Sequence, residues 1–133
     1  MITKKSKKYF DVALAASKLS DYARIRIGAI IVHNNDIISV GFNRIKSHPI
    51  QKKYNIYRGF RNENSYIHAE MAALVKTKHL DLKGASIYIS RNNGNGENAI
   101  CKPCAACMKA ILDRGIRKIF YTTNEGYEEL VFN

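Results

Sequence analysis

The stretch ICKPCAACMKAI, residues 100–111, sets Cys101, Cys104 and Cys107 three apart around Pro103 and then runs into a segment of helical composition. These are the only three cysteines in a chain of 133 residues. A chain of that length can bury an adequate core, so a metal is not needed merely to hold it together. An odd cysteine count, no signal-peptide pattern and no apolar run near the ~18 residues that span a bilayer predict a soluble protein in a reducing, cytoplasmic setting. Clustered thiols in such a setting serve more often as metal ligands or catalytic groups than as a disulfide framework. Cys104 and Cys107 fall on one face at the start of the helix predicted for CAACMKAILDRG, which Gly115 stops. The helix dipole and unpaired N–H groups there lower thiol pKa values and favour metal binding.

Outward from this helix, GASIYIS (84–90) reads as a strand before it and Ile116–Tyr121 as a strand after it, followed by the acidic segment TTNEGYEEL (122–130). Ile67, Met71, Leu74 and Val75 predict another helix over Ile67–Leu80. Nearer the N-terminus, the β-branched run from Ile25 to Val32 suits a strand covered on both faces. HNND (33–36) reads as a turn, and Ile37–Phe42 as an antiparallel partner. Tyr9, Val12, Ala13, Ala16 and Leu19 predict an amphipathic first helix over Lys7–Leu19. The order predicts an α/β protein with a single three-layer α/β/α domain over residues 1–133, its mixed sheet carrying helices on both faces. Residues 1–6 read as a basic arm, and 43–66 as a long basic loop of the kind that serves function.

The charge balance is lopsided, with 22 Lys and Arg against 11 Asp and Glu for a net +11. An anionic partner fits this excess, and so does simple solubility. The segment from Arg44 to Arg61 holds Arg44, Lys46, Lys52, Lys53, Arg58 and Arg61 without an acidic residue.

Two thiolates do not complete a tetrahedral zinc site, and the best further ligand is His68, at the start of the other helix. Two sulfurs and one nitrogen leave a position open for water, the pattern of a catalytic site. Glu70 would stand near that water without ligating. His68-Ala69-Glu70 followed by Pro103-Cys104-Ala105-Ala106-Cys107 is the H-x-E and P-C-x-x-C signature of zinc deaminases. Each half alone is weak; in order, each opening a helix, they are specific.

With IGAIIV (27–32), GFN (41–43), HAEMAAL (68–74) and IRKIFY (116–121), the chain resembles the cytidine deaminase-like superfamily, in its CMP/dCMP deaminase branch, over residues 5–122. The histidine of HAE separates it from free-cytidine deaminases, which usually have cysteine there. The resemblance implies one catalytic Zn2+ per subunit on His68, Cys104 and Cys107, lowering the pKa of its water toward neutrality. It implies Glu70 as the proton shuttle to cytosine N3 and then to the departing ammonia. It also implies that the Ala69 amide holds the base O2 and that Asn43 contacts the sugar. Arg26 or Arg24, with Arg44 and the basic loop, would bind one phosphate. Relatives of this fold form homo-oligomers.

Other residues have plainer expectations. Cys101 reads as a free loop thiol and His48 as a surface or phosphate-contacting residue. Tyr54, Tyr57, Phe60 and Tyr66 read as aromatics that pack the loop down. The leading substrate is dCMP, converted to dUMP. A single-stranded nucleic acid is the second, favoured by net charge and aromatic loops, with RIKSHPIQKKY (44–54) standing where a Gly/Pro-rich turn is expected. Transfer-RNA adenosine is a third, against which the short C-terminal segment speaks. An inactive zinc-stabilised binding module is the non-enzymatic alternative, and Glu70 would be idle in it.

Overall fold

The computed structural model describes residues 3–59 and 66–133. Its centre is one five-stranded sheet in the order β2-β1-β3-β4-β5, formed by β1 (Ile27–His33), β2 (Asp36–Phe42), β3 (Ser86–Arg91), β4 (Lys118–Thr123) and β5 (Gly126–Val131). β1 pairs antiparallel with both β2 and β3, while β3 and β4 are parallel. Asn34 and Asn35 make the first turn, at φ 51° and 67°. Asparagine tolerates that left-handed backbone, and a turn of this kind matches the twist of the paired strands.

Helix α1 (Lys4–Ser17) covers one face. It starts earlier than the apolar spacing predicts because the Thr3 hydroxyl accepts the Ser6 N–H at 3.0 Å. Lys4 and Lys5, expected in an arm, therefore form its first turn. Tyr9, Phe10 and Ala13 pack on Ile30, Val32 and Tyr88, and Tyr88 stacks on Phe120 at 4.3 Å.

The opposite face carries α3 (Ala69–Lys76) and α4 (Ala105–Asp113), around Met71, Leu74, Ile87, Ile89, Ile111 and Ile119. Both faces are thus covered by helices, as the sequence predicts. The parallel β3–β4 pair needs a crossover, and α4 is that crossover. Gly41 lets α3 lie close on the sheet: a Cβ there would stand 2.5 Å from Ala69 O and from Ala73 N.

Two expectations are corrected. The segment TTNEGYEEL is not an acidic tail but the end of β4, a tight turn and β5, with Thr123 opposite Gly126. Tyr127 joins the α1-side core and Leu130 the other, while the glutamates line an exposed edge, where charge discourages further pairing. The segment 43–66 is not loop throughout, because it contains α2 (Pro49–Tyr54) and a 3-10 turn, Asn55–Arg58. His48 caps α2, its Nδ1 accepting the Ile50 N–H at 3.1 Å, and Pro49 at N1 suits a helix start. Tyr54 ties α2 to α4 through Asp113, its hydroxyl donating at 2.9 Å. Phe60 and Arg61 lie outside the described residues.

Candidate metal centre

The starts of α3 and α4 meet at the sheet. His68 is the N-cap of α3 and Cys104 the N-cap of α4, both with extended backbone. Nδ1 of His68 stands 3.5 Å from the Cys104 sulfur and 3.4 Å from the Cys107 sulfur. Among the described residues these form the group able to hold a metal, with ligand atoms all within 4.8 Å of one another. Ligands about 2.0–2.3 Å from a tetrahedral zinc ion stand roughly 3.5 Å apart, so the spacing and the S, S, N donor set both fit zinc.

Electrostatics agree with the fit. The hydrogen bond from the Cys107 thiol, with further help from His68, holds the Cys104 thiol down at about 3. Cys107, donating that bond from a buried position, is pushed well above the ordinary thiol value. The pair thus retains one proton, which a metal ion would displace. Burial is the largest influence on His68 and would lower its pKa; the bond to Cys104 and the charge of Glu70 outweigh it and raise the value. Glu70 is 4% exposed, and burial pushes its carboxyl up.

A cavity of about 480 Å³ opens beside this group. His68, Ala69, Glu70 and Cys104 line it, as do Asn43 and Arg44. Cys107 lies behind, fully buried. Ala69 is the first residue of α3, so its N–H is among the donors that a helix leaves without an intrahelical partner. Asn43 is already engaged: its Oδ1 accepts the Ile27 N–H at 2.9 Å and its Nδ2 donates to Ile25 O at 2.6 Å. Arg26 is exposed and is not part of the wall. Ile25 and Ile27 line the cavity, and Arg26 between them does not. The expected phosphate contact of Arg26 is not borne by its position.

Other residues occupy the rim. Tyr22, Arg58, Tyr66 and Lys102 all line the cavity, and the rings of Tyr22 and Tyr66 stand 6.4 Å apart. Lys102 could have been noticed for its place inside Cys101-Lys102-Pro103-Cys104, whereas nothing in the local pattern marks Tyr22. Cys101 is a free loop thiol, as expected, and a buried one. It is 7% exposed, donates to Ile89 O at 3.3 Å and lies 3.1 Å from the Thr122 hydroxyl. Burial pushes it up to about 12, so it stays a neutral thiol beneath the cavity.

Comparison with known proteins gives consistent findings. The family profile described as "Cytidine and deoxycytidylate deaminase zinc-binding region" matches residues 3–123. The chain is 28% identical to an uncharacterized deaminase in the luxG 3' region of Aliivibrio fischeri, over 90% of this chain and 74% of that protein. It is 26% identical to a deoxycytidylate deaminase of Mycobacterium phage D29, over 85% of this chain and 90% of that protein. Its fold is similar to the crystal structure of dCMP deaminase from the cyanophage S-TIM5 in apo form, with a TM-score of 0.66 and 25% identity, covering 91% of this chain and 84% of that one.

Proposed function

We propose, from the fact that this chain belongs to the cytidine and deoxycytidylate deaminase zinc-binding family, that it converts dCMP and water to dUMP and ammonia. The observation that carries this reading is a buried carboxyl, Glu70, in the wall of a cavity that also holds His68, Cys104 and three cationic side chains. Zinc on His68, Cys104 and Cys107 would supply an activated water at neutral pH. Glu70 would carry one proton from the water to ring N3 as the oxygen adds to C4, and then a second proton, from the hydroxyl so formed, to the amine that leaves as ammonia. Its burial suits the task, because a carboxyl of raised pKa both accepts and holds the proton. The Ala69 N–H donates to the base O2. Asn43 meets the sugar with what hydrogen-bonding capacity its two backbone contacts leave.

Arg44, Arg58 and Lys102 take the place expected of Arg26 as the cations nearest a 5′-phosphate. A single phosphate needs only such a small group. The reading includes one zinc ion per subunit, a cytoplasmic setting and self-association. No helix among the described residues is long and apolar enough to cross a membrane.

The test is ammonia release by zinc-loaded protein offered dCMP, deoxycytidine, or a cytosine-bearing single-stranded oligonucleotide at about 0.15 M salt. Turnover of dCMP well above the other two is expected. Arg44→Ala should raise KM for dCMP and leave that for deoxycytidine unchanged. Preference for the oligonucleotide would reassign the rim to a nucleic-acid backbone, and no turnover of any of the three would sink the enzymatic reading.

A further inference from the structure

We propose that Gln51 is a positioning residue of the metal centre, acting through the backbone of His68 from a different helix. Gln51 lies in α2 and is fully buried. Its Oε1 accepts the His68 N–H at 3.0 Å, and its Nε2 donates to Asn55 Oδ1 at 2.8 Å. A main-chain N–H can only donate, so the oxygen of Gln51 must face His68. The amide NH2 must then face Asn55, which must present its oxygen in turn. That cascade leaves Asn55 Nδ2 as a buried side-chain atom without a hydrogen-bond partner among the described residues. An unsatisfied buried donor costs stability. Here it is the consequence of orienting Gln51 toward the histidine.

The brace answers a local deficiency. A helix start commonly closes on itself: the N-cap side chain accepts from the third helical residue, and a Glu or Gln at that third position reaches back to the N-cap N–H. At α3 both halves are missing. The His68 side chain makes no cap bond, its Nδ1 facing the two sulfurs instead, and the third position is Met71, which has no suitable acceptor. Gln51 supplies the reciprocal half in trans. It thereby fixes the backbone from which the imidazole projects, and it makes the segment before the site, 49–55, part of what holds the metal. Groups that orient metal ligands typically carry 10–100-fold in metal affinity.

The inference rests on His68 being a zinc ligand. Its test is zinc affinity, by competition with a chromophoric chelator, and the absorption spectrum of the cobalt-substituted protein, for wild type, Gln51→Leu, Gln51→Glu and Asn55→Leu. Gln51→Leu should weaken zinc binding on the order of tenfold and alter the cobalt spectrum. Gln51→Glu, protonated when buried, keeps the acceptor and should recover most of the affinity. Asn55→Leu releases the Gln51 amide and should give a smaller loss.

Wild-type affinity and spectrum in Gln51→Leu, even with a lowered Tm, would reduce Gln51 to a tether of α2 and overturn the inference. Should Gln51→Leu fail to fold, Asn55→Leu decides, and unchanged zinc affinity in it overturns the inference equally. Wild-type protein that takes up no zinc would sink the metal reading as well, which separates the two failures.

Discussion

The starts of α3 and α4 carry the same metal group by opposite means. At α4, Cys104 is candidate ligand and cap at once, its sulfur accepting the Cys107 N–H at 3.5 Å, and the next candidate ligand is one turn on. Everything needed lies within Pro103-Cys104-Ala105-Ala106-Cys107. At α3, His68 can be a ligand or a cap but not both, and its main-chain N–H is satisfied by Gln51, seventeen residues earlier in the chain. One half of the site is a local motif, and the other exists only in the folded protein. The difference teaches that the backbone of one candidate ligand is held by how α2 packs, whereas that of the other is held by its own motif.

The largest effect should come from the tertiary half. Glu70→Gln keeps the shape of α3 and the three ligands but cannot shuttle a proton. Turnover should fall about 10²–10⁴-fold with zinc stoichiometry unchanged by metal analysis. A loss of zinc instead would mean that Glu70 belongs to the metal group itself.

The same substitution has an opposite effect on stability. Burial raises the Glu70 pKa, so the folded state holds this proton more tightly than the unfolded chain does. The contribution is complete below the unfolded carboxylate value and is lost as pH rises through the folded one. Metal-free Glu70→Gln should therefore have a higher Tm than metal-free wild type at neutral pH, the two converging below about pH 4. A parallel offset at every pH would rule out the carboxyl as its source.

Next in size is a pair of glycine substitutions on opposite faces of the sheet. A Cβ on Gly41 would press on the backbone of α3, and one on Gly28 would fall against the Ala13 carbonyl of α1. Each should cost about 1–3 kcal/mol or more, read from chemical denaturation, because the obstacle is backbone and cannot swing aside. Only Gly41→Ala should also weaken zinc binding, since it displaces the helix that begins at His68. Equal loss of zinc from both would mean that the centre merely reports global stability.

How much of this was legible in the sequence follows the same division. The candidate ligands, Glu70 and the two strands flanking α4 are legible because each signal is short-range: a spacing, a cap position, an apolar run; that the two strands pair in parallel is not. Asn43 and Arg44 line the cavity, and their signals in the sequence are the family likeness of GFN and the basic segment that follows it. That Arg26 stays out of the cavity wall while Ile25 and Ile27 line it has no signal in the sequence, because it depends on how the chain enters the sheet. β5 is hard to read because an edge strand with an exposed glutamate on each face looks like solvated tail until Tyr127 and Leu130 find their two cores. Gln51 was invisible for the most physical reason: a glutamine in a basic, aromatic segment carries no sign of burial, and its partner is a backbone N–H, which every residue except proline possesses.

The smallest effect is the one that tests the local half most sharply. Cys104→Ser and Cys104→Ala both remove a thiolate ligand, so both should lose stoichiometric zinc. Serine, however, is a strong N-cap and alanine is not. If the sulfur caps α4 as its 3.5 Å contact with the Cys107 N–H indicates, the metal-free serine variant should be more stable than the alanine variant by about 1 kcal/mol. Equal stability of the two would show that the sulfur serves the metal alone and that α4 starts without its help. The two helix starts would then differ less than their geometry implies, and the cap at α4 would have to be sought in a contact from elsewhere in the fold, as at α3.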